Sequence, residues 1–174
     1  MRKGQMPQGL IAVGLAVATF SAMLALANVA RADDKADIEA LEKRIGAGIQ
    51  AKDADAIMAN YVPGDSLVVF DIIPPRQYVG WDAYKKDWAG VIAGCADSPK
   101  FEISDLGITA DGKLAFSHSI QHFACTDPKG NKLDMTMRAT DAYRKIKGKW
   151  LIVHEHYSAP IDLATGKADL TSKP

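Results

Sequence analysis

The chain has 174 residues, 48% of them hydrophobic, with 21 Lys and Arg balanced by 21 Asp and Glu and only two cysteines. This balance excludes a protein that grips nucleic acid through a basic surface, and the apolar share excludes a disordered polyelectrolyte. Two cysteines are too few for a disulfide-stapled scaffold, so the fold must rest on one hydrophobic core of ordinary size.

Residues 1–32 read as a secretory signal peptide. Arg2 and Lys3 start it, Leu10 to Ala27 is an unbroken run of apolar and small residues, and Ala30-Arg31-Ala32 offers a cleavage site before Asp33-Asp34-Lys35. A retained single-span anchor is the alternative. Cleavage would remove Arg2, Lys3 and Arg31 and no acid, leaving a mature charge of about −3. The expected location is periplasmic or secreted, with membrane contact only through the signal peptide. In such an oxidising compartment Cys95 and Cys125 are either one disulfide or two buried thiols.

The mature chain begins with a helix from Asp33 to Lys52, where Ile38, Leu41, Ile45 and Ile49 recur at spacings of three and four. Asp53 caps a second, short helix running through Met58 and Tyr61, and Pro63-Gly64-Asp65 ends it. Ser66 to Asp71 is a short strand, followed by an extended or turned link at Pro74-Pro75. Trp81 to Ile92 returns to helical spacing, with Tyr84, Trp88 and Val91 on one side.

Beyond Gly94 the period changes to two. Strands are expected over Lys100–Ile108, Lys113–Cys125, Lys132–Lys145 and from Trp150 onward, joined by turns at Asp111-Gly112, Asp127-Pro128-Lys129-Gly130 and Lys147-Gly148. Helices followed by a run of strands indicate an α+β fold. The sheet can bury one face only by curling, so a cone-shaped, strongly curved, mostly antiparallel sheet wrapped around three N-terminal helices is expected. The domain spans 33–162, and 163–174 is a polar, flexible tail.

Several segments carry a resemblance. They are Lys52-Asp53-Ala54-Asp55-Ala56-Ile57, the strand to Asp71, Tyr78-Val79-Gly80-Trp81-Asp82-Ala83-Tyr84, and Arg138-Ala139-Thr140-Asp141-Ala142-Tyr143 leading into Gly148-Lys149-Trp150-Leu151 and on to His154, His156 and Ser158. From about Ile38 to Pro160 the chain resembles the SnoaL-like group of the nuclear-transport-factor-2-like superfamily, to which ketosteroid isomerase belongs. The last strand is also similar to the association domain of calcium/calmodulin-dependent protein kinase. The superfamily holds enzymes, binding proteins and scaffolds on one frame. The first resemblance implies a carboxylate base at Asp71 and a protonated carboxyl at Asp141. It also implies a tyrosine on the first helix, where this chain has Ile45. An aliphatic side chain cannot donate to an oxyanion, so efficient steroid isomerisation by that route is not expected.

The candidate catalytic residues are therefore Asp71, Asp141 and His118. His118 and His122 share a strand face with Leu114, Phe116 and Ile120, which reads either as a cavity wall or as a core with hydrogen-bonded histidines. Tyr61, Tyr78, Trp88 and His122 are candidate ligand-wall residues, together with Glu155, Tyr157, His154 and His156 of the last strand. In strict alternation Trp150, Ile152, His154, His156 and Ser158 share one face and Leu151, Val153, Glu155 and Tyr157 the other; a single β-bulge would exchange His154 and Glu155. The H-x-H step alone is a weak metal signal, and no metal or cofactor is expected. Two functions remain open. One is binding of a small organic molecule in a conical pocket, with proton transfer as its chemistry. The other is a non-catalytic scaffold that assembles as a homodimer through its sheet.

Overall fold

The computed structural model describes residues 33–172, so the signal-peptide expectation for 1–32 lies outside the described residues. The first helix, α1, covers 33–51 and buries Ile38, Leu41, Ile45 and Ile49, the stripe expected from their spacing. A short α2 (Ala54–Met58) follows, with the Asp53 carboxylate accepting from the amide of Ala56 at 3.0 Å. The chain then forms β1 (Val68–Phe70), β2 (Tyr78–Val79), α3 (Trp81–Ala93), β3 (Lys100–Asp111), β4 (Leu114–Thr126), β5 (Lys132–Ile146) and β6 (Lys149–Ser158). The two-residue β2 lies beyond the Pro74-Pro75 link and is not among the expected strands.

All six strands form one sheet in the order β2-β1-β6-β5-β4-β3. Neighbours are antiparallel except β1 and β6, which run parallel with Val68 beside His154 and Phe70 beside His156. Two irregularities bend the sheet. In β3, Ser104 pairs with Ile120 and Gly107 with His118, leaving Asp105 and Leu106 opposite Ser119. In β6, Tyr143 pairs with Ile152 and Ala142 with His154, leaving Val153 as the extra residue. The curled, unclosed sheet wraps the helices as the fold class requires.

The bulge at Val153 decides what the last strand presents. Trp150 and Ile152 face inward before it, and Glu155 and Tyr157 face inward after it. His154 and His156 therefore turn outward, which corrects the strict alternation that put them with Trp150 and Ile152. On that outer face their rings stand 5.0 and 5.7 Å from Phe70, and His154 Nδ1 lies 2.8 Å from the Val68 carbonyl oxygen.

The face of β4 is also corrected. Ala115, Ser117, Ser119, Gln121, Phe123 and Cys125 point into the core, while Leu114, Phe116, His118, Ile120 and His122 point out. The apolar and imidazole-bearing face is the convex one; on the other face Ser117 donates to the buried Asp141, and Ser119 accepts from Gln121. His118 packs over Gly107, where a Cβ would sit 2.4 Å from the imidazole. His122 Nε2 lies 2.9 Å from Asp134 Oδ1 at the surface.

Cys95 and Cys125 are joined by a disulfide that ties the end of α3 to β4. The segment expected to be a loose tail bends back: Ile161 bridges Ala168, and the Thr136 amide donates to the Leu170 carbonyl at 2.7 Å. Among the described residues no helix is long and apolar enough to cross a membrane.

Candidate functional site

The inside of the cone holds an acid cluster. Glu155, from the bulged strand, is 2% exposed, Asp141 of β5 is 1% exposed and Glu42 of α1 is 4% exposed. Burying three carboxyl groups is costly unless each is hydrogen-bonded or neutral. The Glu155 carboxylate is met by three phenols: Tyr61 donates to Oε1 at 2.9 Å, Tyr157 to Oε1 at 3.1 Å and Tyr84 to Oε2 at 2.5 Å. Asp141 Oδ2 accepts from Ser117 at 3.1 Å and lies 3.4 Å from the Tyr143 hydroxyl, while its Oδ1 has no donor. Tyr143 also donates to Glu42 Oε1 at 2.6 Å and lies 2.7 Å from the Ser117 hydroxyl.

These surroundings set the protonation states. Desolvation pushes Glu155 up to about 7, against the pull of the Tyr84 and Tyr61 hydrogen bonds. Desolvation raises Asp141 well above the carboxylate range, and the negative charges of Glu155 and Glu42 add to it. Glu42 is raised by burial and partly held down by Tyr143. Asp141 thus holds its proton, which gives Oδ1 a hydrogen to direct at the neighbouring carboxylate, and Glu155 is the member that ionises.

The second part of the site is the mouth. Asp71 follows β1 and faces inward, accepting from the Ile72 amide at 2.5 Å. Burial raises it to about 6, and the neighbouring Asp87 charge adds to the shift. Tyr78 donates its phenol to Asp87 at 2.5 Å. Asp71 and Asp87 open onto a narrow hollow of about 40 Å³ walled by Trp88, Phe101, Phe123, Met135, Met137 and Tyr157. Outside it, a shallow dish of about 470 Å³ runs over Ile73, Tyr78, Ala83, Asp87 and Val91. The Trp88 Nε1–H is buried without an acceptor.

Of the residues singled out from the sequence, the structure brings Asp71, Trp88 and Tyr157 to the hollow and Tyr78 to the dish. Asp141, Tyr61 and Glu155 lie deeper, joined in the acid cluster. His118, His122, His154 and His156 lie on the outer face, away from both. Among the described residues no group of three or more His, Cys, Asp or Glu side chains is placed to hold a metal ion.

Residues 38–162 match the family model of the SnoaL-like domain. The chain belongs to the SnoaL-like domain family. Its likeness to solved structures agrees. An NTF2-like protein of unknown function from Pseudomonas putida KT2440 is 32% identical with a TM-score of 0.72, covering 84% of this chain and 98% of that one. A candidate calcium/calmodulin dependent protein kinase II association domain from Xanthomonas campestris is 23% identical with a TM-score of 0.63, covering 72% and 87%. A candidate dehydratase of the NTF2-like family from Streptomyces avermitilis is 12% identical with a TM-score of 0.67, covering 76% and 99%. No curated protein matches the chain.

Ile45, the α1 residue standing where the resemblance implied a tyrosine, is buried in the core of this SnoaL-like domain. Sequence reasoning missed Glu42, Tyr84, Asp87, Ser117 and Tyr143. Glu42 carried a signal, since it stands four residues after Ile38 and three before Ile45, on the buried stripe of α1. Tyr143 also carried one, because it shares the inward alternation of Asp141 on β5.

Proposed function

We propose that this SnoaL-like protein binds a small organic molecule at the dish and hollow and moves a proton on it with Asp71. The observation that carries this reading is a desolvated carboxyl at about 6, paired with Asp87, opening onto an aromatic and methionine-lined hollow. Such a group exchanges a proton near neutral pH far more readily than an exposed aspartate does. At about 40 Å³ the hollow admits only a small terminus, so the body of the ligand lies in the dish. The unpaired Trp88 Nε1–H offers a donor to a ligand oxygen. The fold relative described as a candidate dehydratase is consistent with acid–base chemistry on this frame.

Native mass spectrometry of protein purified without refolding tests for a retained ligand, and titrating that ligand against the wild type and Asp71→Asn tests the residue. A difference in affinity or in its pH dependence supports the reading; identical binding from about pH 4 to about pH 9 removes Asp71 from the site.

Export is part of the proposal. It is supported by the N-terminal sequence and by the Cys95–Cys125 disulfide, a bond favoured outside the cytosol. Cell fractionation checks it, and a full-length cytosolic product would overturn it.

A second reading is a homodimeric scaffold. It is favoured by the exposure of Leu114 at 59% and Phe116 at 50% on the outer sheet face. Light scattering tests assembly, and substitution of His154 and His156 tests whether that face carries it. An unchanged mass in the double variant rules those two histidines out as interface elements.

A further inference from the structure

A groove of about 520 Å³ runs between α1 and the edge strand β3, on a different wall of the cone from Asp71. Its volume falls in the range of ordinary ligand pockets, whereas the hollow does not. We propose that this seam is a second ligand site, which takes an organic ammonium carried on a slender apolar body.

The strand wall is apolar by construction. Phe101 and Ile103 alternate inward, and strict alternation would next turn Asp105 in. The bulge prevents this: Asp105 takes φ 52° and faces solvent, and Leu106 lines the groove instead. At Gly46 the helix has no side chain, and a Cβ there would lie 3.2 Å from Phe101 Cδ1. The ring edge therefore sits close under the helix and forms part of the apolar floor of the groove.

The helix wall supplies the charge. Glu42 lines the groove and is 4% exposed, and its carboxyl is fixed by the Tyr143 phenol, itself in contact with Ser117. A buried carboxyl facing an apolar strand wall is compensated best by a cation. Glu39 stands three residues earlier on the rim, and Lys43 is the single basic residue lining the groove. The excess of acid disfavours an anion. A neutral alcohol can donate to Glu42 but does not balance its charge.

The test uses 2-phenylethylamine, 2-phenylethanol and phenylacetate, titrated separately into the purified protein at neutral pH and followed by backbone amide NMR. The amine is expected to shift Gly46, Ala47, Ile103 and Leu106 and to bind about tenfold or more tighter than the alcohol, with phenylacetate not saturating. Glu42→Gln should bring the amine down to the affinity of the alcohol. Ala47→Trp, an exposed position on the groove wall, should fill the slot and abolish binding; it decides the matter if the Glu42 variant does not fold. Equal affinity for amine and alcohol overturns the proposal, as does full binding by Ala47→Trp. Shifts confined to Ile72, Trp88 and Val91, or loss of amine binding in Asp71→Asn, would place the amine in the hollow and also overturn it. Failure of Asp71 to bind or act on a ligand leaves these outcomes untouched.

Discussion

Asp141 and Glu155 stand directly opposite each other on β5 and β6, both turned inward and both almost fully buried. Like charges in cross-strand register at such depth cannot both ionise without a large penalty. The surrounding donors divide the roles: three phenols reach Glu155, while Asp141 has only Ser117 and a long contact from Tyr143. The pair therefore stores a proton in the middle of the cone.

The first prediction concerns stability and pH. Glu155 rises from 4.5 to about 7 on folding, so the native state binds more protons than the unfolded chain between those values. Stability is then fully present below about 4.5 and declines as pH rises through about 7, by on the order of 3 kcal/mol from this group. Asp71, Asp141 and Glu42 are raised too and act in the same direction. Urea midpoints should fall from pH 5 to pH 8, and Glu155→Gln should flatten the profile. A midpoint that climbs over that range would contradict the assigned proton.

Removing a phenol from Glu155 should have two linked effects. Tyr84→Phe deletes a donor to a buried carboxylate without changing the ring, at a cost of about 1–3 kcal/mol at neutral pH. It should also move the Glu155 titration upward, visible in carboxyl carbon NMR. Destabilisation with an unmoved titration would mean that packing, not hydrogen bonding, was lost.

At the mouth, the raised Asp71 owes its second-largest contribution to Asp87. Asp87→Asn should therefore lower the Asp71 midpoint from about 6 towards, but not to, its ordinary value, because desolvation remains. Carboxyl NMR reads this directly, and a midpoint that stays at about 6 would remove the electrostatic link between the two acids.

The disulfide closes a loop with a sequence separation of 30. Replacing Cys95 and Cys125 together by serine should cost about 3 kcal/mol on the chain-entropy model. Chemical denaturation of the oxidised wild type and the double variant measures it; equal midpoints would show that the bond adds nothing beyond the packing around it.

Much of the fold was legible because it rests on local periodicity. The α1 stripe, the cap at Asp53, the three late turns and the long strands follow from the spacing of apolar residues and from Gly, Pro and Asp at the turns. The direction in which each strand faces was less accessible. The β4 face with more hydrocarbon turned outward, because Ser117 was needed inside as a donor to Asp141. The acid cluster draws its members from α1, α2–β1, α3, β4, β5 and β6, and no spacing along the chain connects Glu42 with Tyr143 or Tyr84 with Glu155.

By itself the sequence determined an α+β order of helices followed by strands, since alternation and helical spacing are properties of neighbouring residues; its likeness to the SnoaL-like family rested on particular segments such as Arg138 to Tyr143 and not on periodicity. Only the tertiary structure decided that Glu155 rather than His154 points inward, because one extra residue at Val153 reverses every side chain beyond it. It also decided how deep each acid lies, and depth controls whether a carboxyl keeps its proton.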